Sequence, residues 1–271
     1  MSASHRLDTA LITGASTGIG ATYADRLAHR GHDLVLVARD KARLQSLAER
    51  LTRETGVKVD VLSADLTAPP ERELVERRLR DDDSIGLLIN NAGMAGAGPI
   101  VAQQLDRFES MIQLNVIAPT RLTSAILPRL LARGHGSIIN IGSVVALAPE
   151  LFDGTYNGTE SYLLNYTLTL HREVAGRGIQ VQAVLPGVTR TEMWKRTGID
   201  VNSLPADLIM EVDELVDAAL AGYDMGELVT IPSLPDVEDW NRYTAARLRL
   251  APNLSRDHAA DRYKSDISED A

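Results

Sequence analysis

The chain of 271 residues has no cysteine. That excludes disulfide cross-links and thiolate metal sites, although by itself it does not separate a cytoplasm from an oxidising compartment. Basic residues are also short: 28 Lys and Arg against 37 Asp and Glu leave a formal charge of -9. Such a chain repels a phosphate backbone, so nucleic acid is not an expected partner. Linkers rich in Gly, Ser or Pro, internal repeats and low-complexity tracts are missing too, and one domain over 1–271 is the expectation. The uncharged twenty-residue window at 86–105, "GLLINNAGMAGAGPIVAQQL", is interrupted by asparagines, glutamines, glycines and a proline and does not make a spanning helix. The first apolar run, "TALIT" at 9–13, is too short for a signal-peptide core and flows into a glycine motif that cleavage would destroy. A soluble, cytoplasmic protein without a membrane partner is expected.

What the chain does have is a regular alternation. Short β-branched or leucine-rich runs recur at 9–13, 33–38, 57–62, 85–90, 136–142, 179–185 and 227–231, which are strand candidates. Segments with helical spacing lie between them, such as Leu44, Leu47, Ala48 and Leu51. Near-continuous apolar strands alternating with helices predict an α/β fold: a doubly wound parallel sheet of about seven strands, covered by helices on both faces. In such folds ligands gather at the carboxyl ends of the strands. After the last strand, "LPDVEDWNRYTAARLRL" reads as one more amphipathic helix, and 252–271 as a polar tail.

"TGASTGIG" at 13–20 follows the first strand and opens the first helix. Gly14, Gly18 and Gly20 let backbone approach backbone, and the helix N-terminus offers N–H groups to a diphosphate. At this position in a parallel sheet, dinucleotide binding is the expectation. The second strand ends in "VARDK", which puts Ala38 where a ribose-binding carboxylate would stand and Arg39 next to it. A guanidinium there suits a 2′-phosphate, with Ser16 in the glycine turn as an extra donor, so NADP(H) is favoured over NAD(H). Asp40 is the competing signal, but its place before "KARLQSL" fits a helix N-cap better. A solvated Arg39 is the alternative.

Together, "TGASTGIG", "NNAG" at 90–93, "LNV" at 114–116, Ser143, Tyr156 thirteen positions later and "PGVTRT" at 186–191 resemble the short-chain dehydrogenase/reductase family. The resemblance covers about residues 7–231, and the motifs are similar to those of its NADP-preferring carbonyl reductases. It implies a Rossmann-type sheet of seven strands, hydride transfer to or from a small hydroxyl or carbonyl compound, and a homodimer or homotetramer. The resemblance implies that Gly14, Ser16, Thr17, Gly18, Ile19 and Gly20 form the phosphate turn, and that Asp65 and Leu66 flank the adenine. Asn91, Ala92 and Gly93 lie on the adenosine side. Pro186, Gly187, Val188 and Thr191 hold the nicotinamide amide and phosphates. Ser143 then polarises the substrate oxygen, Asn115 holds a kink and a water in the long helix, and Tyr156 moves the proton. No metal is implied.

One position departs from the pattern. The resemblance implies a lysine four residues after the catalytic tyrosine, to bind the nicotinamide ribose and lower the phenol pKa, and here that residue is Glu160. Residues four apart share a helix face, so a carboxylate there raises the phenol instead. No lysine lies between Lys58 and Lys195, and neither Arg172 nor Arg190 is in register on this helix to replace it. Alcohol oxidation, which needs the phenolate, suffers more than carbonyl reduction, which needs the neutral phenol. Three readings stay open: a weakened carbonyl reductase, an imine or iminium reductase favoured by the carboxylate, and a dinucleotide-binding protein with little catalysis. A bland alternative points Glu160 to solvent or pairs it with Arg190.

Substrate choice falls to a lid at about 188–215, together with "MAGAGPIV" at 94–101 and the last helix. Met193, Trp194, Leu204, Leu208, Ile209 and Met210 predict an apolar pocket under that lid. The helices at about 103–132 and 156–175 are candidates for an oligomer face.

Overall fold

A computed structural model describes residues 7–96, 100–102, 105–151, 154–194 and 200–264. Residues 97–99 of the predicted substrate segment, 195–199 of the predicted lid and 265–271 of the predicted tail lie outside the described residues. Contacts group the chain into two compact units, Met1–Pro232 and Ser233–Ala271.

The first unit alternates strands and helices as the apolar pattern predicts. Its elements are β1 (Thr9–Thr13), α1 (Gly18–His29), β2 (Leu34–Ala38), α2 (Lys41–Thr55), β3 (Val59–Ser63), α3 (Pro69–Asp81) and β4 (Ile85–Asn90). They continue with α4 (Leu105–Ile112), α5 (Ala118–Arg133), β5 (Gly136–Ile141), α6 (Thr155–Val174), β6 (Ile179–Val184), α7 (Val212–Asp224) and β7 (Val229–Thr230). The strands pair in parallel in the order β3-β2-β1-β4-β5-β6-β7.

Strand alternation sorts the core onto two faces. Ala10 and Ile12 of β1 join Tyr23 and Leu27 of α1, Leu44 and Leu51 of α2, and Leu215 and Val216 of α7 on one side. Leu11 turns to the other side, where Val75 and Leu79 of α3, Leu122 and Ile126 of α5, and Leu170 and Val174 of α6 close over the sheet. Because both faces are covered, the strands are apolar on successive residues, and that produced the continuous runs in the sequence. Each fully buried leucine or isoleucine here contributes roughly 1.5–3 kcal/mol of apolar transfer.

The winding reverses between β1 and β4, which are neighbours in the sheet although two strands separate them in sequence. A crevice opens outside the carboxyl ends of strands at such a switch point. The glycine turn after β1 and "NNAG" after β4 both fall there.

Between α4 and α5 the helix widens into a π-turn, Gln113–Ile117, with Asn115 buried at its centre. Asn115, which the resemblance makes the holder of a kink, lies in this π-turn.

The second unit contains α8 (Val237–Leu248), started by the Asp236 carboxylate accepting from Glu238 N at 2.9 Å. Single 3-10 turns follow at Ala251–Asn253 and Asp261–Tyr263. The last helix predicted from the sequence is therefore present.

Candidate active site

The glycine turn is shaped by close backbone approach. Gly14 and Gly18 have φ of +66° and +55°, a region that side-chain-bearing residues rarely adopt. A Cβ on Gly20 would lie 2.5 Å from both Gly14 O and Asn91 Nδ2, so only hydrogen fits. Thr17 precedes α1 without a side-chain cap, which leaves the N–H groups at the helix start to another acceptor. An uncapped helix start beside glycines that admit no Cβ fits a diphosphate. Asn91 is a strut for this turn: its Nδ2 donates to Thr13 O at 2.9 Å and to Gly14 O at 3.3 Å. The Asn91 and Ala92 N–H groups donate to Thr13 Oγ1 at 2.9 Å and 3.0 Å.

At the end of β2, Arg39 is exposed, and its Nη1 lies 3.7 Å from Asp65 Oδ2. Asp40 is the N-cap of α2, accepting from Arg43 N at 3.0 Å, as its sequence context predicted. Sequence reasoning missed Arg43, whose Nη1 donates to Glu192 Oε2 at 2.9 Å and ties α2 to the chain beyond Thr191. It also missed Arg72, a buried guanidinium donating to Leu66 O at 3.0 Å and Gln113 Oε1 at 3.2 Å. Arg72 thereby joins the loop after β3 to the π-turn.

A cleft with about 970 Å³ of empty space, open to solvent, brings many of the predicted residues together. Its wall includes Ile19, Asn91 and Gly93, then Ser143, Tyr156 and Glu160, and also Pro186, Gly187, Val188 and Thr191. Met193 and Trp194 line it as well. Of the other residues predicted for an apolar pocket, Leu208 is exposed and Met210 packs against the core instead. The segment after β6 is latched at its base: Thr189 pairs with Met210, and Met210 N donates to Val188 O at 2.9 Å.

Tyr156 stands in the first turn of α6 and shares a hydrogen bond with Ser143, which is buried at the start of the short turn Val144–Ala146. Burial raises the Tyr156 phenol well above its ordinary value, and Glu160 when ionised raises it further. The Ser143 hydrogen bond acts in the opposite direction and is the smaller influence.

Glu160 is 5% exposed. It neither points to solvent nor pairs with Arg190, which is bound to Glu211 Oε1 at 2.7 Å and Asn202 Oδ1 at 2.6 Å. The bland alternative is thus overturned, because α6 is covered on the side that carries Glu160. Its Oε1 receives Asn115 Nδ2 at 3.4 Å, while its Oε2 is buried without a hydrogen-bond partner among the described residues. With no cation among the described residues to offset it, burial pushes the Glu160 carboxyl up to about 8. That shift favours the protonated acid near neutral pH, where the sequence reading had a carboxylate.

Asn115 crosslinks the site. Its Oδ1 accepts from Met94 N at 3.0 Å, and its Nδ2 donates to Met94 O at 2.9 Å and Thr159 Oγ1 at 3.1 Å. Thr159 in turn donates to Tyr156 O at 2.8 Å. Beneath it runs a buried polar ladder that sequence reasoning also missed. Asn90 Nδ2 donates to Asn140 Oδ1 at 2.9 Å, and Asn140 Nδ2 donates to Thr167 Oγ1 at 2.9 Å, so β4, β5 and α6 are joined. The signal was Asn140 standing alone in the apolar run of β5.

A family model described as short chain dehydrogenase matches residues 8–202. The chain belongs to the short-chain dehydrogenase family. Among solved structures, it is similar to a short-chain dehydrogenase from Sphingobium yanoikuyae in complex with NADPH, at 55% identity and TM-score 0.93. That match covers 95% of this chain and 100% of the other. The bulky-bulky ketone specific alcohol dehydrogenase from Comamonas testosteroni is 51% identical with TM-score 0.88, over 95% of this chain and 99% of its own. A curated relative, the very-long-chain 3-oxoacyl-CoA reductase of Anas platyrhynchos, is 34% identical over 193 residues. The match spans 69% of this chain but only 61% of that reductase's length. As a family member, the chain is an oxidoreductase with a Rossmann-type sheet, and the NADPH-bound neighbour supports a nicotinamide dinucleotide as its cofactor. Among the described residues no helix is long and apolar enough to cross a membrane, and no cluster of His, Cys, Asp and Glu is placed to hold a metal.

Proposed function

We propose that the chain is an NADPH-dependent reductase of ketones with bulky groups on both sides of the carbonyl. The observation that carries this reading is the hydrogen-bonded Ser143 and Tyr156 pair, set in the wall of a largely apolar cleft that Ile19 of the glycine turn also lines. When bound there, NADPH supplies a hydride. The chain's residues hold it: the α1 N-terminus and glycine turn take the diphosphate, Arg39 the 2′-phosphate, and Val188 and Thr191 the nicotinamide end. Ser143 donates a hydrogen bond to the substrate oxygen, and Tyr156 gives that oxygen its proton. A phenol raised by burial remains neutral, which suits reduction and hinders oxidation. Protonation of Glu160 removes the anion beside the phenol, so the cost to reduction at neutral pH is smaller than a carboxylate would impose. The proposed assembly is a homodimer or homotetramer.

A second reading, reduction of imines, is favoured by Glu160 Oε2, a buried carboxyl oxygen without a partner in the cleft wall. A substrate that arrives as an iminium cation pairs with an ionised Glu160 and needs no strong acid.

Comparing the wild-type protein with Glu160→Lys on a bulky ketone and a cyclic imine separates these readings, with NADPH binding followed by fluorescence. The ketone reading expects higher ketone turnover in the variant, by on the order of tenfold. Loss of imine turnover in the variant supports the second reading. Bound cofactor with no turnover in either protein leaves a dinucleotide-binding protein, and absence of NADPH binding removes all three readings.

A further inference from the structure

Glu160 combines three features that ordinary side-chain packing does not require of a carboxyl group. It is 5% exposed, Oε2 has no hydrogen-bond partner, and among the described residues it belongs to no ion pair. Among the described residues its packed neighbours are neutral. From the π-turn comes the Asn115 carboxamide at 3.4 Å, and from the end of β5 comes Gly142, where a Cβ would stand 3.3 Å from Oε2. On its own helix, Thr159 is neutral, and the titratable Tyr156 lies one turn earlier. The charge state of Glu160 is therefore set by whatever enters the cleft that it lines. The proposed cofactor has a neutral dihydropyridine ring when reduced and a cationic pyridinium when oxidised. A buried carboxylate in the wall of that cleft is stabilised by the second and not by the first.

We propose that Glu160 makes the site sensitive to the oxidation state of its cofactor, keeping its proton when NADPH is bound and releasing it to solvent when NADP⁺ is bound. The inference rests on the reading that the cleft takes NADP(H). No electron moves in this step: an O–H bond of the carboxylic acid breaks, and one proton enters bulk water. Linkage fixes the direction of the effect. Since NADP⁺ binding expels a proton, its affinity rises with pH until Glu160 is already ionised in the free protein, close to pH 8. NADPH gains nothing over the same interval. Hydride transfer to substrate then leaves a site that sheds a proton, and alkaline conditions retain the oxidised product while acidic conditions favour its exchange for NADPH.

The test measures dissociation constants of NADP⁺ and NADPH between pH 6.5 and pH 8.5, on the wild-type protein and on Glu160→Gln, through fluorescence of Trp194 in the cleft wall or by calorimetry. Both nucleotides carry the same phosphates, so phosphate titration cancels in the ratio of the two constants. The wild-type ratio is expected to shift toward NADP⁺ by about tenfold across this range, and the ratio in Glu160→Gln to stay constant. Calorimetry on the wild-type protein in buffers of different ionisation enthalpy gives a second reading that needs no variant. It should show proton release on binding NADP⁺ and none on binding NADPH. A constant wild-type ratio, an equal shift in Glu160→Gln, or equal proton release for both nucleotides overturns the inference while leaving cofactor binding intact. Failure to bind either nucleotide overturns the functional reading and the inference with it.

Discussion

Asn115 Nδ2 lies 2.9 Å from Met94 O and 3.4 Å from Glu160 Oε1, so one carboxamide joins the chain after β4 to the acid on α6. An amide nitrogen has only two hydrogens, and Thr159 Oγ1 at 3.1 Å also competes for them. Glu160 thus holds the weakest of three contacts, which is a poor substitute for a cation. This geometry explains why burial dominates its protonation. The π-turn supplies the room, because a regular helix would place Asn115 elsewhere on the helix surface.

The stability of the cofactor-free protein should therefore decline with rising pH through the Glu160 window. The folded chain holds this proton up to about pH 8, whereas an unfolded glutamate releases it near its ordinary value of 4.5. Between those values the folded state binds more protons than the unfolded state. Each pH unit then removes stability, by at most on the order of 1 kcal/mol. Glu160→Gln removes the titration, so its denaturant midpoint should change less between pH 5 and pH 8 and should exceed the wild-type midpoint at the upper end. Parallel profiles in the two proteins would contradict this.

Two glycines in helices should respond oppositely to alanine. Gly158 on α6 is exposed with nothing within 4 Å of a new Cβ. Gly158→Ala should raise stability by about 0.5–1 kcal/mol through helix propensity alone. At Gly20 the same gain is outweighed by Gly14 O and Asn91 Nδ2, each 2.5 Å from the added carbon. Gly20→Ala should lose at least about 2 kcal/mol and also bind NADPH more weakly, as thermal melts with and without the nucleotide would show.

The sheet was legible because its strands are buried on both faces, so seven apolar runs stood out, though the last shrank from 227–231 to Val229–Thr230. Asp40 could be recognised as a cap because capping is local in sequence. Glu160 was noticed, but the upward push on its carboxyl comes from burial by other segments, which no local pattern records. The pairing of Arg43 with Glu192 spans 149 residues and has no periodic signature. Neither does the ladder of Asn90, Asn140 and Thr167, in which each residue reads alone as an ordinary polar interruption.

That ladder should matter more to α6 than to the nucleotide turn. Asn140 is fully buried, accepting from Asn90 and donating to Thr167. Asn140→Leu should cost about 1–3 kcal/mol by stranding polar groups that water cannot reach. Thr167 lies on the helix that carries Tyr156, whereas the glycine turn is held separately by Asn91. At a temperature where the variant is folded, kcat should fall further than NADPH affinity. Equal losses in both would place the effect on the whole fold.

Arg39 should distinguish the phosphorylated cofactor from the unphosphorylated one. Its side chain is 67% exposed, and the contact with Asp65 at 3.7 Å is a surface pair of small net value. The guanidinium can therefore exchange Asp65 for a 2′-phosphate, whose higher charge density and three oxygens make the stronger acceptor. Arg39→Ala should weaken NADPH binding by roughly tenfold, corresponding to about 1.4 kcal/mol, and leave NADH binding nearly unchanged. Added salt should reduce the wild-type preference as well, because an exposed charge pair is screened within about 8–10 Å at physiological ionic strength. Equal weakening of NADH and NADPH would instead mean that Arg39 packs on the adenine ring, since a stacking contact is blind to the phosphate.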